Sequence, residues 1–267
     1  IHIIGVDSDL FFTAEENKET HKQLALTHPN VTYNEINSVH GHDAFLIEYK
    51  QLEKIIEPIF NKRSKNNMKV VKFGGKSLAN GKGLESALKV ISKKVANEEA
   101  ITLVVSARGK TTDQLESILE KAKSSLPYLE ELEALKKYQL AIDETVDLTP
   151  EFQLLDEIFK GVNLLGDYSA KVKDQVLAQG EILAAKTIAH MLNSKGIKAN
   201  FVDSRKLIKT NNQFGKAQLF EDASEDLVIK HFSEHPVNEI QVITGFIASN
   251  LNGETTTLGR NGSNYTA

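Results

Sequence analysis

The residues best suited to chemistry begin with a lysine and a glycine pair in the second part of the chain. Lys72 ends an apolar strand pattern, and Gly74 and Gly75 follow at a strand-to-helix turn. Glycines let backbone N–H groups approach an anion, and a lysine neutralises charge on a transferred phosphoryl group. The pattern predicts phosphate chemistry, although a glycine pair after a strand is also a common structural turn.

Two later segments carry further candidates. Residues 255–267 read TTTLGRNGSNYTA, which is typical of a second anion-binding turn or of a flexible polar loop. Gln179, Gly180 and Glu181 interrupt a helical pattern with a glycine followed by a carboxylate. Glu181 is therefore either a site residue or an ordinary surface carboxylate.

The first part of the chain offers an acid and a histidine. Asp9 follows an apolar strand pattern at residues 1–6, and His42 follows another at 31–36. Strand ends are where open α/β sheets form sites, and an aspartate that orients a histidine base is part of a nucleophile triad. The two groups are equally compatible with ordinary surface positions. No GxSxG serine motif occurs in the chain, so this part has no nucleophile.

The overall composition narrows the classes of protein to which these candidate residues can belong. With 40% apolar and 25% charged residues, the 267-residue chain is typical of a globular protein with one large domain or two smaller ones. The net charge of −4 argues against nucleic-acid binding and favours small-molecule partners. The absence of cysteine excludes disulfides and thiolate sites. No apolar run is long enough for a membrane span, and we expect a cytoplasmic protein.

A basic segment divides the chain. Residues 61–68 contain the sequence NKRSKNN and are interpreted as a linker, or as a surface loop within one domain. Because the chain begins with Ile1 and its first methionine is Met68, we expect a piece of a longer polypeptide.

Residues 1–60 are predicted to form a βαβα segment, with strands at 1–6 and 31–36 and helices at 14–27 and 43–60.

The second part alternates strand and helix patterns. This alternation predicts an α/β domain with a mostly parallel sheet. The predicted strands lie at 69–73, 101–105, 198–202 and 239–247, and the predicted helices at 84–95, 113–124, 129–146, 151–165 and 168–194.

Residues 1–60 resemble the C-terminal end of homoserine O-acetyltransferases. The resemblance rests on GVDSDLFF at residues 5–12 and HGHDAFL at residues 40–46. It implies a partial α/β-hydrolase segment in which Asp9 is the triad acid and His42 the base, with Asp43 a neighbour. The serine of the triad is missing from this chain.

Residues 68–267 resemble the N-terminal catalytic domain of aspartokinases. Six ordered motifs carry the resemblance: KFGGKS at 72–77, SARGKTTDQL at 106–115, QGE at 179–181, FVDSR at 201–205, FGKAQ at 214–218 and TTTLGRNGSNYTA at 255–267. The resemblance implies a three-layer amino-acid-kinase (carbamate-kinase-like) fold, in a domain running from residue 69 to 267 and truncated at its C-terminus. It favours aspartate over acetylglutamate, glutamate or uridylate as the phosphoryl acceptor.

The same resemblance implies roles for individual residues, with ATP, Mg²⁺ and L-aspartate as the bound species. Lys72 would contact the transferred phosphoryl group. Thr112 and Glu181 would hold the aspartate, Glu181 by its ammonium group, and Arg260 would grip a carboxylate. The phosphate-binding residues would be Lys72, Gly74, Gly75, Ser77, Gly262 and Ser263.

Two positions depart from the family pattern. Lys76 stands where threonine is usual, and Asn264 stands where many relatives have aspartate. The combined resemblances imply a fused enzyme of threonine and methionine synthesis that is a homo-oligomer when full-length, and they leave open whether a homoserine dehydrogenase follows. Two alternatives also stay open: homoserine O-acetyltransferase activity of the parent polypeptide, and a ligand-binding remnant without turnover.

Overall fold

The computed structural model describes residues 1–28, 31–60, 68–79, 81–236, 238–259 and 262–267, with the backbone alone at 57–60. The chain divides into two compact units, Ile1–Lys65 and Asn66–Ala267. All of the predicted linker except Met68 lies outside the described residues. The assignment of the first unit to an α/β-hydrolase domain stays a prediction.

The first unit is built on a two-stranded parallel sheet. Strand β1 (His2–Val6) pairs with β2 (Thr32–Ile36), and helix α1 (Ala14–Ala25) connects them. Thr13 and Glu16 form a capping box, which fixes the start of α1 because the Thr13 hydroxyl accepts from the Glu16 N–H. The buried side chains of β1 and β2 pack against the helical segment that follows.

The prediction of one helix over 43–60 is wrong. A 3₁₀ turn (Gly41–Asp43) leads into helix α2 (Ala44–Ile47), and helix α3 (Tyr49–Phe60) begins after Glu48. Glu48 has a ψ of 40°, outside helical geometry, and its carboxylate accepts from the Ser38 hydroxyl at 3.1 Å.

The second unit contains two sheets. Four parallel strands form the larger sheet in the order β3-β4-β7-β5, and β6-β8-β9 form the smaller one. Strands β4 and β7 are buried along their whole length, as expected for strands covered on both faces. The strands are β3 (Lys69–Phe73), β4 (Ile101–Val105), β5 (Ala199–Val202), β6 (Lys209–Thr210), β7 (Ile240–Thr244), β8 (Ile247–Asn250) and β9 (Thr255–Thr257).

Helices complete a three-layer α/β fold, which confirms the predicted fold class for this unit. On one face of the larger sheet, Leu103 and Val105 pack against α4 and α8. On the other face, Val104 packs with residues of α9 and the smaller sheet. The helices are α4 (Gly81–Ala96), α5 (Thr111–Lys123), α6 (Leu129–Leu140), α7 (Thr149–Leu165), α8 (Ala170–Ser194), α9 (Glu221–Glu234) and α10 (Gly262–Thr266).

Two element predictions in this unit are corrected, and one is confirmed. The expected strand over 239–247 is two strands, because Phe246 adopts a φ of 67° between them. The predicted helix over 168–194 is confirmed as α8 (Ala170–Ser194), which continues through Gly180 because it is packed on several sides. Helix α6 is expected from the sequence to extend to about residue 146, but it ends at Leu140. The chain turns after it, because the Asp143 carboxylate accepts from the Thr145 N–H at 3.0 Å.

Among the helices that the structure describes, none is both long enough and apolar enough to cross a membrane.

Helix α9 ends in a pair of stacked histidines that should make stability depend on pH. His231 and His235 have ring centroids 4.0 Å apart, and burial, then the His235 charge, lowers the pKa of His231. Glu234 and Gln241 also face His231 and act in the opposite direction. An unfolded chain therefore takes up a proton at His231 more readily than the folded one, and stability falls as the pH drops below about 6.5.

We expect His231→Gln to reduce the loss of thermal stability between pH 7 and pH 5, measured by circular dichroism melting at both values. His28→Gln, which changes an exposed histidine, serves as the matched control and should leave the pH dependence unchanged. Equal pH dependence in the His231 variant and the unsubstituted chain would contradict this account.

Candidate functional site

An open cavity of about 300 Å³ lies at the carboxyl ends of strands β3, β4 and β7 in the second unit. Parallel strands direct their following loops to this edge, so segments far apart in sequence meet there. The cavity is lined by Lys72, Gly74, Gly75, Ser106, Thr112, Glu181, Phe246, Gly259, Gly262 and Ser263.

The turn after β3 provides the cationic side of the cavity. A methyl group added at Gly74 would lie 3.8 Å from Lys72 Nζ, so the ammonium group folds over the turn. A Cβ at Gly75 would clash with the Ala107 carbonyl oxygen, and the Gly109 N–H donates to the Gly75 carbonyl at 2.9 Å. Only glycine fits at position 75, because any side chain would push the turn away from β4.

A buried carboxylate also lines the cavity. Glu181 on α8 is 3% exposed, and its Oε1 accepts from the Ala107 N–H at 3.0 Å. Its Oε2 is buried and has no hydrogen-bond partner within the described part of the chain. Burial raises the pKa of Glu181 to about 8. An unpaired carboxylate oxygen at a cavity wall is suited to receive a cationic group of a ligand.

The loop after β7 closes a third side and contains residues that the sequence analysis did not single out. Phe246 has a φ of 67°, a strained conformation for a residue with a side chain. Its carbonyl accepts from the Leu258 N–H at 2.9 Å, and the Ser106 hydroxyl donates to the Ser263 hydroxyl at 2.9 Å. The serine at 106 begins a motif already noted, but nothing in the sequence marks Phe246.

Asp174 is a second buried carboxylate on α8, two turns before Glu181. Its Oδ2 accepts from the N–H groups of Gly215 at 2.8 Å and Thr257 at 3.0 Å, and its Oδ1 accepts from the Thr257 hydroxyl at 3.0 Å. These bonds join α8 to the end of β9, from which the chain continues to Gly259 and Gly262. The spacing of seven residues from Glu181 was the available sequence signal, since both side chains then share one helix face.

The structure brings together seven of the residues that the sequence singled out in this unit. They are Lys72, Gly74, Gly75, Thr112, Glu181, Gly262 and Ser263. Ser77 is exposed and is not among the lining residues, and Arg260 lies outside the described residues. The roles of all these residues stay predictions.

Asp9 and His42 meet in the first unit. His42 Nδ1 lies 3.0 Å from Asp9 Oδ2, and Asp9 Oδ1 accepts from the N–H groups of Phe11 at 2.8 Å and Phe12 at 3.2 Å. The bond to His42, followed by the bond to Phe11, lowers the pKa of Asp9. A small cavity of about 210 Å³ adjoins the pair. The arrangement matches an acid that orients a histidine base.

Comparison with known proteins assigns the larger unit to a family. Residues 67–267 match the model of the Amino acid kinase family. The chain therefore belongs to the amino acid kinase family.

The individual relatives are aspartokinases. Aspartokinase 1, chloroplastic, of Arabidopsis thaliana is 31% identical over 229 residues, which cover 80% of this chain and 40% of that protein. The structures of E. coli aspartokinase III with lysine and aspartate, and with aspartate and ADP, match with TM-scores of 0.63 and 0.61 at 27% and 26% identity. Each match covers 74% of this chain and 45% of the other.

The first unit has a separate match. Homoserine O-acetyltransferase of Cyclobacterium marinum is 49% identical over 57 residues, which are 21% of this chain and 15% of that protein. The chain spans less than half the length of the curated aspartokinases given above and a smaller part still of the acetyltransferase.

Glu181 should destabilise the folded chain at alkaline pH. The folded state keeps a proton on Glu181 up to about pH 8, whereas the unfolded state releases it near 4.5. The folded state thus binds more protons in this window, and stability falls as the pH rises through it. Glu181→Gln keeps the size of the side chain and removes the ionisation.

We expect Glu181→Gln to be at least about 2 kcal/mol more stable than the unsubstituted chain at pH 8.5. At pH 5 the two proteins should be nearly equal, as measured by urea unfolding. Glu133→Gln on the exposed side of α6 is the control and should show no such difference. A Glu181→Gln protein that is less stable than the unsubstituted chain at both pH values would contradict the argument.

Proposed function

We propose that the second unit is the catalytic part of an aspartate kinase, which transfers the γ-phosphoryl group of ATP to the β-carboxylate of L-aspartate and gives 4-phospho-L-aspartate. One observation carries the proposal: Lys72 and the glycine turn lie at the same cavity as Glu181, whose Oε2 has no partner among the described residues. The cavity therefore holds a cationic group suited to phosphate and a carboxyl group that can ionise and pair with an ammonium group. The aspartokinase relatives favour aspartate as the acceptor.

In this proposal the phosphate end works by charge and position. Lys72 would neutralise negative charge as the phosphoryl group leaves ADP, and the backbone at Gly74 and Gly75 would contact phosphate oxygens. Gly262 and Ser263 contact the nucleotide from the other side. The hydrogen bond from the Gly109 N–H to the Gly75 carbonyl helps to keep the turn in place during transfer.

The substrate end orients aspartate. The aspartate ammonium group pairs with Glu181 Oε2, and Thr112 contacts the substrate beside it. Arrival of the ammonium group favours the ionised form of Glu181, so substrate binding releases a proton from this side chain when the pH is below its raised pKa. Arg260 is proposed to hold a substrate carboxylate through its paired N–H groups.

Mg²⁺ is proposed to arrive with ATP. Within the described ranges there is no group of three or more histidine, aspartate or glutamate side chains placed to hold a metal ion. Magnesium commonly binds through substrate phosphates with few protein ligands, and the glycine turn fits such phosphates.

The remaining proposals concern the location, the other activities and the assembly of the whole polypeptide. We propose a cytoplasmic, multifunctional enzyme of aspartate-derived amino-acid synthesis that forms a homo-oligomer. Because the chain spans 40% of a curated aspartokinase, we expect it to bind ATP weakly by itself, and activity is best measured in the full-length parent.

The test is aspartate-dependent phosphoryl transfer from Mg-ATP, with the acyl phosphate trapped by hydroxylamine. Lys72→Met in the full-length parent should lower kcat by at least about 100-fold, because it removes the charge that stabilises the transferring group. Lys76→Met removes an exposed lysine from the same turn and should change kcat by less than about threefold. A folded parent that binds aspartate without transfer would favour the ligand-binding remnant.

A second function is proposed for the first unit on the observed pairing of Asp9 with His42. The pair would supply the acid and base of a homoserine O-acetyltransferase triad, with a serine from polypeptide outside this chain. His42 would take the serine proton through Nε2, since Nδ1 faces Asp9.

A chimera tests this second function directly. The matched 57-residue segment of the Cyclobacterium marinum relative is replaced by the corresponding residues of this chain. We expect the chimera to acetylate homoserine, and His42→Gln and Asp9→Asn to lower kcat by at least about 100-fold. His40→Gln, which changes a neighbouring exposed histidine, is the control. A folded chimera without activity would refute the proposal.

A further inference from the structure

Arg108 is a buried arginine that lies behind the turn after β3. Only 2% of its surface is exposed. Its Nε donates to the Leu78 carbonyl at 3.2 Å, and its Nη1 donates to the carbonyls of Tyr138 at 3.2 Å and Gln139 at 3.1 Å and to Gln139 Oε1 at 3.2 Å. All of these acceptors are neutral.

The charge of Arg108 therefore has no carboxylate partner among the residues that the structure describes. Buried charges in proteins are normally paired, since the cost of removing them from water is large. The ring of Tyr138 lies 4.5 Å from the guanidinium carbon and compensates part of this cost. No described residue accepts from Nη2, so the group keeps donor capacity for an anion.

A second cavity, of about 340 Å³, has Arg108 among its lining residues. Its walls are mostly apolar and include Leu84, Ile142 and Met191. The first turn of α4, beginning at Gly81, lies along the same cavity, so the positive end of that helix adds to the charge of Arg108. Glu85 is the one acidic residue among its described lining.

We propose that this cavity is a binding site for a small organic carboxylate with an apolar body, held by the Arg108 guanidinium. The apolar walls would bury the body of the ligand, and the carboxylate would accept from Arg108 Nη2. The described lining of this cavity shares no residue with that of the cavity at Lys72 and Glu181. The site is therefore separate from the proposed kinase site, and the inference does not depend on kinase activity.

Two contacts connect the proposed ligand to the turn after β3. Arg108 donates to the Leu78 carbonyl, and the Tyr138 hydroxyl donates to the Ala79 carbonyl at 2.6 Å. Leu78 ends the 3₁₀ turn Gly75–Leu78. A carboxylate bound to Arg108 would thus also affect the segment Gly75–Leu78, which begins at the first cavity.

The probe for this site is 4-fluorobenzoate, titrated against the 267-residue chain and followed by ¹⁹F NMR. We expect saturable binding with a Kd below about 1 mM, and binding of the neutral analogue 4-fluorobenzamide at least about tenfold weaker. Absence of saturable binding, or equal affinity for the acid and the amide, would overturn the proposal.

Variants locate the probe. Arg108→Met should abolish the preference for the acid, but loss of this buried group could also impair folding. Gly81→Phe keeps Arg108 and adds a ring at the cavity wall, where a Cβ meets nothing within 4 Å; it should weaken binding at least about tenfold. Glu85→Gln should tighten binding because it removes the negative charge nearby.

Two lysine variants complete the experiment. Lys89→Met removes an exposed positive charge from α4 outside the cavity lining and should leave the affinity within about twofold. Lys72→Met should also leave it unchanged. Binding that is lost in Lys72→Met and kept in Gly81→Phe would show that the probe occupies the first cavity, and the proposal would be wrong.

Discussion

The arrangement of the larger unit depends on how closely two backbone segments approach Ala107. The turn after β3 lies against the Ala107 carbonyl at Gly75, and helix α8 lies against the Ala107 side chain at Gly180. The Ala107 N–H donates to the Glu181 carboxylate. A Cβ at Gly180 would lie 2.8 Å from the Ala107 Cβ. The two glycines therefore have a steric role, because they allow a phosphate-type turn and a carboxylate to face the same cavity.

This close packing explains how the chain tolerates the Glu181 carboxylate, of which only one oxygen has a hydrogen-bond partner among the described residues. Helix α8 is buried through most of its length between the sheet and helices α5 and α7. Large apolar burial on both sides offsets the cost of the unpaired Glu181 oxygen. A residue retained at such a cost is better explained by ligand binding than by stability, because a neutral side chain would fit the same space with less penalty.

Elements that depend on a local residue pattern are predicted correctly from the sequence. Features that depend on contacts between residues far apart in the chain are not. The buried run at 101–105 and the strand before the glycine turn are predicted within a residue, since apolar periodicity is local. The break at Phe246 is missed because it is set by contacts with Leu258 and with the 262–263 segment. Asp174 is missed for the same reason: its partners are 41 and 83 residues away.

The two departures from the aspartokinase pattern also take on a different meaning in the structure. Lys76 and Asn264 are both exposed, and neither lines the cavity formed by the described residues. Of the neighbours that do line it, Gly75 accepts a hydrogen bond from the Gly109 N–H, and Ser263 accepts one from the Ser106 hydroxyl. Changes at 76 and 264 therefore alter charge next in sequence to lining residues and leave these hydrogen bonds in place. Their effect should be on ligand approach more than on the geometry of the reacting groups.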